Sequence, residues 1–372
     1  MTVKQHRFQY NAAPSKQSGA ALLIALVIMT ISIGIAANIM FRQQLHTRLA
    51  SNISHLEQAY PYATALEDYA RTILTKDFED APESDNLGEV WATKTPPVPI
   101  PGGTMEGQLF DLQSKLNLNN LYPPEKPIEE NPEPPAPGAP PPPPPTPEEL
   151  KLIKDQDRYI IAQQRITRLI KTIDPEETLG PAANFADTVQ DWIDEDNDTS
   201  VGGVESDYYQ SLDPAYNTAN SFLVNETELR LLKDVDTDVY KLLQPHLTPL
   251  PEYTPVNVNT ASMDVIQALG FTPEAAENII SVRDEEPFES MENFLSLAVV
   301  SAATQSTPDT EPEVYEQDLS VTSKYFLLQG EVNIGTARLY INSILYRNDG
   351  KVTVVSRDFS NQQIKEAKQP EE

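Results

Sequence analysis

The stretch Lys16-Gln17-Ser18-Gly19-Ala20 joins a basic, polar leader to an apolar run that continues to Phe41 without a charged side chain. At about 1.5 Å of rise per residue, a helix of this length can cross a hydrocarbon core roughly 30 Å thick. The remainder of the chain is polar, so we expect a single span. Basic residues precede the run at Lys4, Arg7 and Lys16, and such residues stay in the cytoplasm. The bulk of the chain should therefore lie outside the cytoplasm.

This junction differs from a secretory signal peptide. A cleaved signal has an apolar stretch of roughly 7 to 15 residues with small residues at its far end, whereas here the glycine precedes the run. A cut after Gly19 would make Ala20 the first mature residue and would keep the apolar helix. The arrangement resembles the type IV prepilin and pseudopilin family, in which a prepilin peptidase makes this cut and methylates the new amine.

The fifth mature position narrows the resemblance. It is usually glutamate in that family, but here it is Ile24. The branch that typically lacks this glutamate is the minor pseudopilin K family of type II secretion systems. The departure has a physical rationale, because a glutamate buried in an apolar bundle needs the amine of a neighbouring subunit as its partner. A subunit with no neighbour above it has no such amine to meet.

Composition excludes several function classes. The chain has 372 residues, a formal net charge of −29 and no cysteine. Such an acidic surface repels nucleic-acid phosphates, so we expect no nucleic-acid binding. Disulfides, thiolate metal sites and cysteine nucleophiles are excluded. Only four histidines are present, and no nucleophile elbow, phosphate loop or zinc signature appears, so we do not expect an enzyme.

Hydrophobic periodicity predicts an α+β fold. Apolar residues spaced three and four apart continue from Leu45 to Leu74, which is typical of a helix covering a core, and Pro61 should bend it. A strand is expected near residues 107–114. Three further strands of an antiparallel meander are expected near residues 325–332, 337–346 and 352–355, with turns at Asn333-Ile334-Gly335 and Asn348-Asp349-Gly350.

The segment between these strands is predominantly helical, which predicts an inserted domain. The expected architecture is a membrane-spanning long helix, a pseudopilin-like head of helix plus antiparallel sheet, and an inserted mostly α-helical domain. The predicted boundaries are leader 1–19, transmembrane or filament-core helix 20–41, first part of the head 42–122, proline-rich linker 123–147, inserted domain 148–315, strands completing the head 316–360, and flexible tail 361–372.

An acidic loop in the inserted domain has the spacing of a calcium site. Counted from Asp194, side-chain oxygens fall at positions 1, 3 and 5 (Asp194, Asp196, Asp198), and Glu205 falls at position 12. Hard oxygen ligands without histidine or cysteine favour calcium over zinc. Thr199 stands where an EF-hand has glycine, so a true EF-hand is not expected. The alternative interpretation is an acidic surface turn.

Residues 256–283 resemble a helix-hairpin-helix unit. Nucleic-acid-binding versions present a glycine-rich hairpin to a phosphate, with basic residues nearby. Here Gly270 is the only glycine of the hairpin, and Glu274, Glu277 and Asp284 surround it. We therefore interpret the unit as a packing module.

Further segments similar to the minor pseudopilin K family are spread over most of the chain: Asp111-Leu112, Asn117-Leu118-Asn119-Asn120-Leu121, Asp191-Trp192-Ile193-Asp194 and Glu205-Ser206-Asp207-Tyr208-Tyr209. The resemblance implies a non-catalytic subunit at the tip of the periplasmic pseudopilus that supports protein export. It also implies a single-pass location in the inner membrane with the bulk of the chain in the periplasm. The implied partners are minor pseudopilins I and J and a prepilin peptidase.

Two alternatives remain open at the level of sequence. The first is a membrane-anchored calcium-dependent binding protein or hydrolase, in which the glycine junction has no role in processing. The second is a minor pilin of a type IV pilus.

Overall fold

The computed structural model describes residues 18–94, 96–123, 147–305 and 312–360. The predicted leader up to residue 17, most of the predicted proline-rich linker and the predicted tail lie outside these residues. Helix α1 (Ser18–Asp80) opens the described chain. A five-stranded antiparallel sheet follows, in the order β1 (Val98–Ile100), β2 (Gly103–Asp111), β7 (Tyr325–Ile334), β8 (Ala337–Asn348) and β9 (Lys351–Asp358). The predicted α+β class is confirmed.

Helix α1 runs through Pro61 without interruption. The hydroxyl of Thr64 donates to the carbonyls of Tyr60 (3.2 Å) and Pro61 (2.9 Å), next to the place where proline removes a backbone donor. From Ala59 onward, one stripe of the helix is buried against the sheet at helical spacing, through Ala59, Ala63, Leu66, Ala70 and Leu74. The residues before this stripe are almost all exposed.

The sheet brings together strands that are far apart in sequence. Strands β1 (Val98–Ile100) and β2 (Gly103–Asp111) form one hairpin, and β7 (Tyr325–Ile334), β8 (Ala337–Asn348) and β9 (Lys351–Asp358) form the predicted meander. Strand β2 pairs with β7 in the register Leu109↔Leu328. Asp349 and Gly350 both have positive φ (47° and 76°), as a two-residue hairpin turn requires.

A polar hub centred on Arg347 fixes the end of α1 to the sheet. Its guanidinium donates to Asp77 Oδ2 at 3.0 Å, to Asp85, and to the Ser323 carbonyl at 3.0 Å. The guanidinium carbon also lies 4.8 Å from the centre of the Phe326 ring. Arg347 is only 4% exposed, so this ion pair is shielded from solvent.

The inserted domain lies between β2 and β7 and has two halves. The first contains β3 (Leu116–Asn117), α2 (Pro147–Ile173), α3 (Ala182–Ile193), α4 (Ser206–Gln210), α5 (Thr237–Leu243) and β4 (Leu247–Thr248). The second contains β5 (Val256–Asn257), α6 (Met263–Ala268), α7 (Pro273–Glu285), α8 (Met291–Leu295), α9 (Ala298–Thr304) and β6 (Leu319–Ser320). Each half is closed by a parallel strand pair, β3 with β4 and β5 with β6.

Both halves begin with two asparagines that make the same pattern of hydrogen bonds. Asn117 Oδ1 accepts a hydrogen bond from the Asn119 amide (3.0 Å), and Asn257 Oδ1 accepts one from the Asn259 amide (3.0 Å). The second asparagine of each pair then binds both backbone groups of a distant residue. For Asn119 that residue is Leu223, at 2.9 Å for each bond, and Asn259 uses Phe288 at 3.0 and 2.9 Å.

The domain borders differ from the predicted ones. Leu116, Leu118 and Leu121 are buried in the core of the inserted domain, although the predicted head extended to residue 122. Leu319 is buried in the same core, although the predicted insert ended at residue 315. The head therefore ends at β2 and resumes after β6. The predicted linker 123–147 consequently starts inside the inserted domain.

Helices α6 and α7 form the predicted hairpin around Gly270, whose φ is +118°. A Cβ atom at Gly270 would lie 2.3 Å from the Glu313 carbonyl oxygen and 2.5 Å from Arg168 Nη1. The hairpin is thus in close contact with two other segments of the same chain, which agrees with the packing-module interpretation.

Candidate functional site

The N-terminal half of α1 is the first functional feature. Gly19 and Ala20 lie in the first turn of this helix. Ile24 is 61% exposed. Among the described residues, one helix is long and apolar enough to cross a membrane, and its apolar window has no buried residue. The head covers none of this surface, which is left for lipid or for other apolar helices.

The second feature is the acidic loop between α3 and α4. Asp194 follows the last residue of α3 and caps the helix, since its amide donates to the Gln190 carbonyl at 2.9 Å. Glu205 begins α4, and its carboxylate accepts from the Ser206 amide at 3.2 Å. The two acidic side chains at the loop ends are therefore held by the helices that flank the loop.

Three carboxylates converge at this loop. Asp191, Asp194 and Glu205 each offer an oxygen atom, and these three atoms lie within 4.8 Å of one another. All three residues are buried, with exposures of 0%, 3% and 5%. Asp194 Oδ1 and Glu205 Oε1 are buried without a hydrogen-bond partner. Buried, unpaired carboxylate oxygens of this kind are costly unless a cation completes the site.

Electrostatics agrees with the geometry. Burial, reinforced by the charges of Asp196, Glu205 and Asp191, raises the pKa of Asp194 to about 7. Burial is also the largest cause of the raised pKa of Asp191 and of Glu205. The charge of Asp196 raises the pKa of all three carboxyl groups, and the charge of Asp191 raises the pKa of Asp194 and Glu205. A bound divalent cation relieves such repulsion.

The second half of the loop folds back onto α3. Asp191 accepts from the Ser200 amide at 3.2 and 3.1 Å, and Asp187 Oδ2 accepts from the Gly202 amide at 3.0 Å. At Gly203, a Cβ atom would lie 2.2 Å from Asp191 Oδ2. Only glycine permits this approach of the backbone to the carboxylate.

The structure separates the four predicted ligands. Asp194 and Glu205 come together as the spacing predicts. Asp196 is exposed, and its Oδ1 accepts from the Asp198 amide at 2.8 Å, as in an Asx turn. Asp198 is exposed and lies outside the three-carboxylate group. Its predicted role as a ligand is not supported by its position.

Asp191 is the site residue that the loop spacing missed. It lies in the last turn of α3, three residues before Asp194, which follows the last helical residue. An i, i+3 carboxylate pair at a helix end was the available signal. A loop template that starts at Asp194 does not include it.

Another acidic group in the described chain has a different role. Asp77, Asp85 and Glu89 also place oxygens within 4.8 Å of one another. There the Arg347 guanidinium pairs with Asp77 and Asp85, and Glu89 accepts from Trp91 Nε1 at 2.5 Å. Because these carboxylates already have donors, the group forms part of the Arg347 hub. The acidic loop is the candidate metal centre.

Comparisons with known proteins give a consistent result. Two family models, both described as type II secretion system (T2SS), protein K, match residues 114–252 and 256–312. These ranges correspond to the two halves of the inserted domain. Type II secretion system protein K of Pseudomonas aeruginosa is 31% identical over 351 residues, covering 92% of each chain. The protein of the same name from Aeromonas hydrophila is 28% identical, covering 92% of this chain and 97% of the relative.

A solved structure has the same fold. One chain of the crystal structure of the GspK-GspI-GspJ complex from the enterotoxigenic Escherichia coli type 2 secretion system matches this chain with a TM-score of 0.64 and 20% identity. The match covers 83% of this chain and 98% of that chain.

Proposed function

This chain belongs to the type II secretion system protein K family, and on that premise we propose that it is the minor pseudopilin at the tip of the pseudopilus. The exposed apolar part of α1, residues 20–41, is called the stem. The observation that supports the proposal is the combination of this stem with a head enlarged by an inserted domain. The stem can enter a bundle of like helices. The inserted domain adds bulk to the head, which is unsuited to another subunit stacking above it.

The chemistry of the stem supports an end position. Ile24 leaves the N-terminal segment without a carboxylate that would need the amine of a neighbour. We place the apolar helix in the inner membrane before assembly and the acidic head in the periplasm, as the basic leader indicates. Prepilin peptidase cleavage after Gly19 and methylation of Ala20 belong to the same proposal.

Minor pseudopilins I and J are the proposed partners. Their counterparts are the companions of the structural neighbour, whose crystal contains GspK, GspI and GspJ. We propose contacts through the helices near the junction of stem and head. The role is one of assembly, and we assign no catalytic step to this protein.

The mature N-terminus provides the decisive experiment. Mass spectrometry of the protein isolated from its own cells should show a chain that begins at methylated Ala20. Gly19→Leu should keep the leader and prevent assembly with the I-type and J-type partners, whereas Gly34→Leu, within the exposed apolar helix, should be processed normally. An intact Met1, or a cut near residue 40, would contradict the proposal.

We further propose that the acidic loop binds calcium through Asp191, Asp194 and Glu205. The two unpaired oxygens at Asp194 and Glu205 support this assignment. Calcium bound there would supply positive charge and additional oxygen coordination, joining the end of α3 to the start of α4. The role is structural, because the loop lies within the first half of the inserted domain.

Calorimetric titration of the full chain in detergent tests the calcium site. Asp191→Asn and Asp194→Asn should each remove most of the binding heat, whereas Asp198→Asn should retain it. Glu285→Gln, an equal change of charge on exposed surface, serves as the control. Binding that depends on Asp198 and not on Asp191 would favour the loop-template ligand set instead. Absence of both heat and a melting shift in the unmodified protein would refute the site.

A further inference from the structure

The sheet has a groove on the face opposite to α1. Its floor is formed by Leu327 of β7 and Ile344 of β8, and one wall comes from Val224 of the inserted domain. Val224 is 72% exposed although it is apolar. About 60 Å³ of this space is open to a water-sized group. A single water needs only about 10 to 15 Å³ by the same measure, so the groove admits a larger group.

Two carboxylates border the apolar floor from opposite elements. Glu226 belongs to the inserted domain, and Asp358 belongs to the outermost strand β9. Glu226 Oε1 accepts from Gln244 Nε2 at 3.1 Å, and Asp358 Oδ1 accepts from the Ser360 amide at 3.0 Å. Within the part of the chain that the structure describes, neither carboxylate has a cationic group within the 4.0 Å of an ion pair. The charge of the buried Lys115 acts on Glu226 without forming an ion pair. The groove therefore offers an apolar floor between two carboxylates that form no ion pair.

We propose that this groove binds a polypeptide segment of a partner protein in which an aliphatic side chain is flanked by lysine or arginine. The aliphatic side chain fills the space above Leu327 and Ile344, and the flanking cations meet Glu226 and Asp358. Charge complementarity selects this occupant over an acidic or wholly apolar one.

The position of the groove bears on which partner can reach it. Helix α1 packs on the other face of the sheet, so a stem buried among other stems leaves the groove open. This step rests on the proposed function. The site suits a partner outside the helical core of the pseudopilus, and the tip would present it after assembly.

A peptide-binding experiment tests the proposal with the full chain in detergent. The probe is a fluorescent heptapeptide in which one leucine is flanked on each side by two lysines. Matched peptides carry serine in place of leucine, or glutamate in place of lysine. Anisotropy is measured at about 0.15 M salt, where a Debye length of about 8 Å suppresses attraction from the distant charges of this acidic protein.

The variants separate the groove from general electrostatics. The double variant Glu226→Gln, Asp358→Asn should weaken binding of the leucine peptide about tenfold. The control Glu285→Gln, Glu289→Gln removes the same charge from exposed surface and should change binding less than about twofold. Val224→Ser removes apolar surface without changing charge, so it should weaken the leucine peptide while leaving the weaker serine peptide nearly unchanged. Together these results support the groove as a docking site.

Three outcomes would overturn the assignment. Equal losses in the two double variants would mean that net charge alone drives binding. Equal affinity for the leucine and serine peptides would show that the apolar floor does not contribute to binding. Binding that appears only after deletion of residues 361–372 would show that the chain's own C-terminal segment is the occupant. N-terminal processing and assembly with the I-type and J-type partners are measured separately, so failure of the groove leaves the proposed function standing.

Discussion

Replacement of Arg347 by methionine should weaken the attachment of the C-terminal end of α1 to the sheet. The change removes the guanidinium that pairs with Asp77 and Asp85 while keeping much of its apolar length. Asp85 is 1% exposed, so a carboxylate is left buried without its cation. Breaking a buried pair in this way costs roughly 3 to 5 kcal/mol, and loss of the contact with the Phe326 ring adds to it.

The cost should depend on pH with a definite sign. Burial is the largest cause of the raised pKa of Asp77, which is about 6 even with Arg347 present. A carboxyl with a raised folded-state pKa destabilises the fold as pH rises from its unfolded value toward the folded value. Removal of Arg347 moves the folded pKa of Asp77 further upward. The deficit relative to the unmodified protein should therefore be smaller at pH 5 than at pH 8.

The assay is denaturant unfolding followed by Trp91, which lies in the head core 5.1 Å from Phe326. The other tryptophan, Trp192, lies in the inserted domain and is replaced by phenylalanine so that one probe reports on the head. Arg338→Met is the matched control, because Arg338 pairs with Glu331 at the surface with its side chain 60% exposed. Equal losses for Arg347→Met and Arg338→Met, or a loss at Arg347 that does not change with pH, would refute the reasoning.

Three further predictions concern the inserted domain. Because the pKa of Asp194 is raised to about 7, the metal-free domain should lose stability as pH rises from about 4 to 7. In thermal melts, saturating calcium should reverse that trend. A metal-free domain that becomes more stable over this range would contradict the raised pKa of Asp194. Asn119→Ala and Asn259→Ala should each lower the free energy of unfolding by about 2 to 3 kcal/mol, since each leaves a buried amide and a buried carbonyl unpaired. Denaturant unfolding curves measure this loss. A loss below about 0.5 kcal/mol at both sites would show that these asparagine side chains do not stabilise the fold. Gly203→Ala should abolish calcium heat in titration because the new methyl would meet Asp191 Oδ2 at 2.2 Å, and retained heat would show that the loop can move away from α3.

Hydrophobic spacing along the sequence correctly predicted the helices and strands whose formation depends on residues close to one another in sequence. The buried stripe from Ala59 to Leu74 follows helical spacing, and the meander follows alternation punctuated by Asp349-Gly350. The inserted domain could be predicted because the sequence between the two sets of strands has the periodicity of helices and not the alternation of strands. Loop spacing also predicted that Asp194 and Glu205 come together, and the flanking helices hold them at the two ends of one loop.

The parts that sequence reasoning missed depend on distant contacts. Residues 112–121 have no periodicity, and their place in the insert is set by partners such as His246, whose carbonyl accepts from the Leu116 amide at 2.9 Å. The repeated Leu-Asn-Leu-Asn and Val-Asn-Val-Asn stretches were the one available signal, and they mark the start of each half. The predicted role of Asp198 stays a prediction, because Asp198 is exposed and lies outside the three-carboxylate group.

Buried hydrogen bonds join the inserted domain to the head at the two places where the chain enters and leaves it. Asp111, the last residue of β2, accepts from Asn257 Nδ2 at 3.2 Å and from the Ser323 hydroxyl at 2.6 Å. Ser323 follows the exit strand, and its amide donates to Asp85 Oδ2 at 2.7 Å. Asp85 in turn pairs with Arg347. The entry, the exit and the end of α1 thus share one buried hydrogen-bonded network, in which displacing any member leaves others unpaired. The inserted domain is thus joined to the head by buried hydrogen bonds at both points where the chain passes between them.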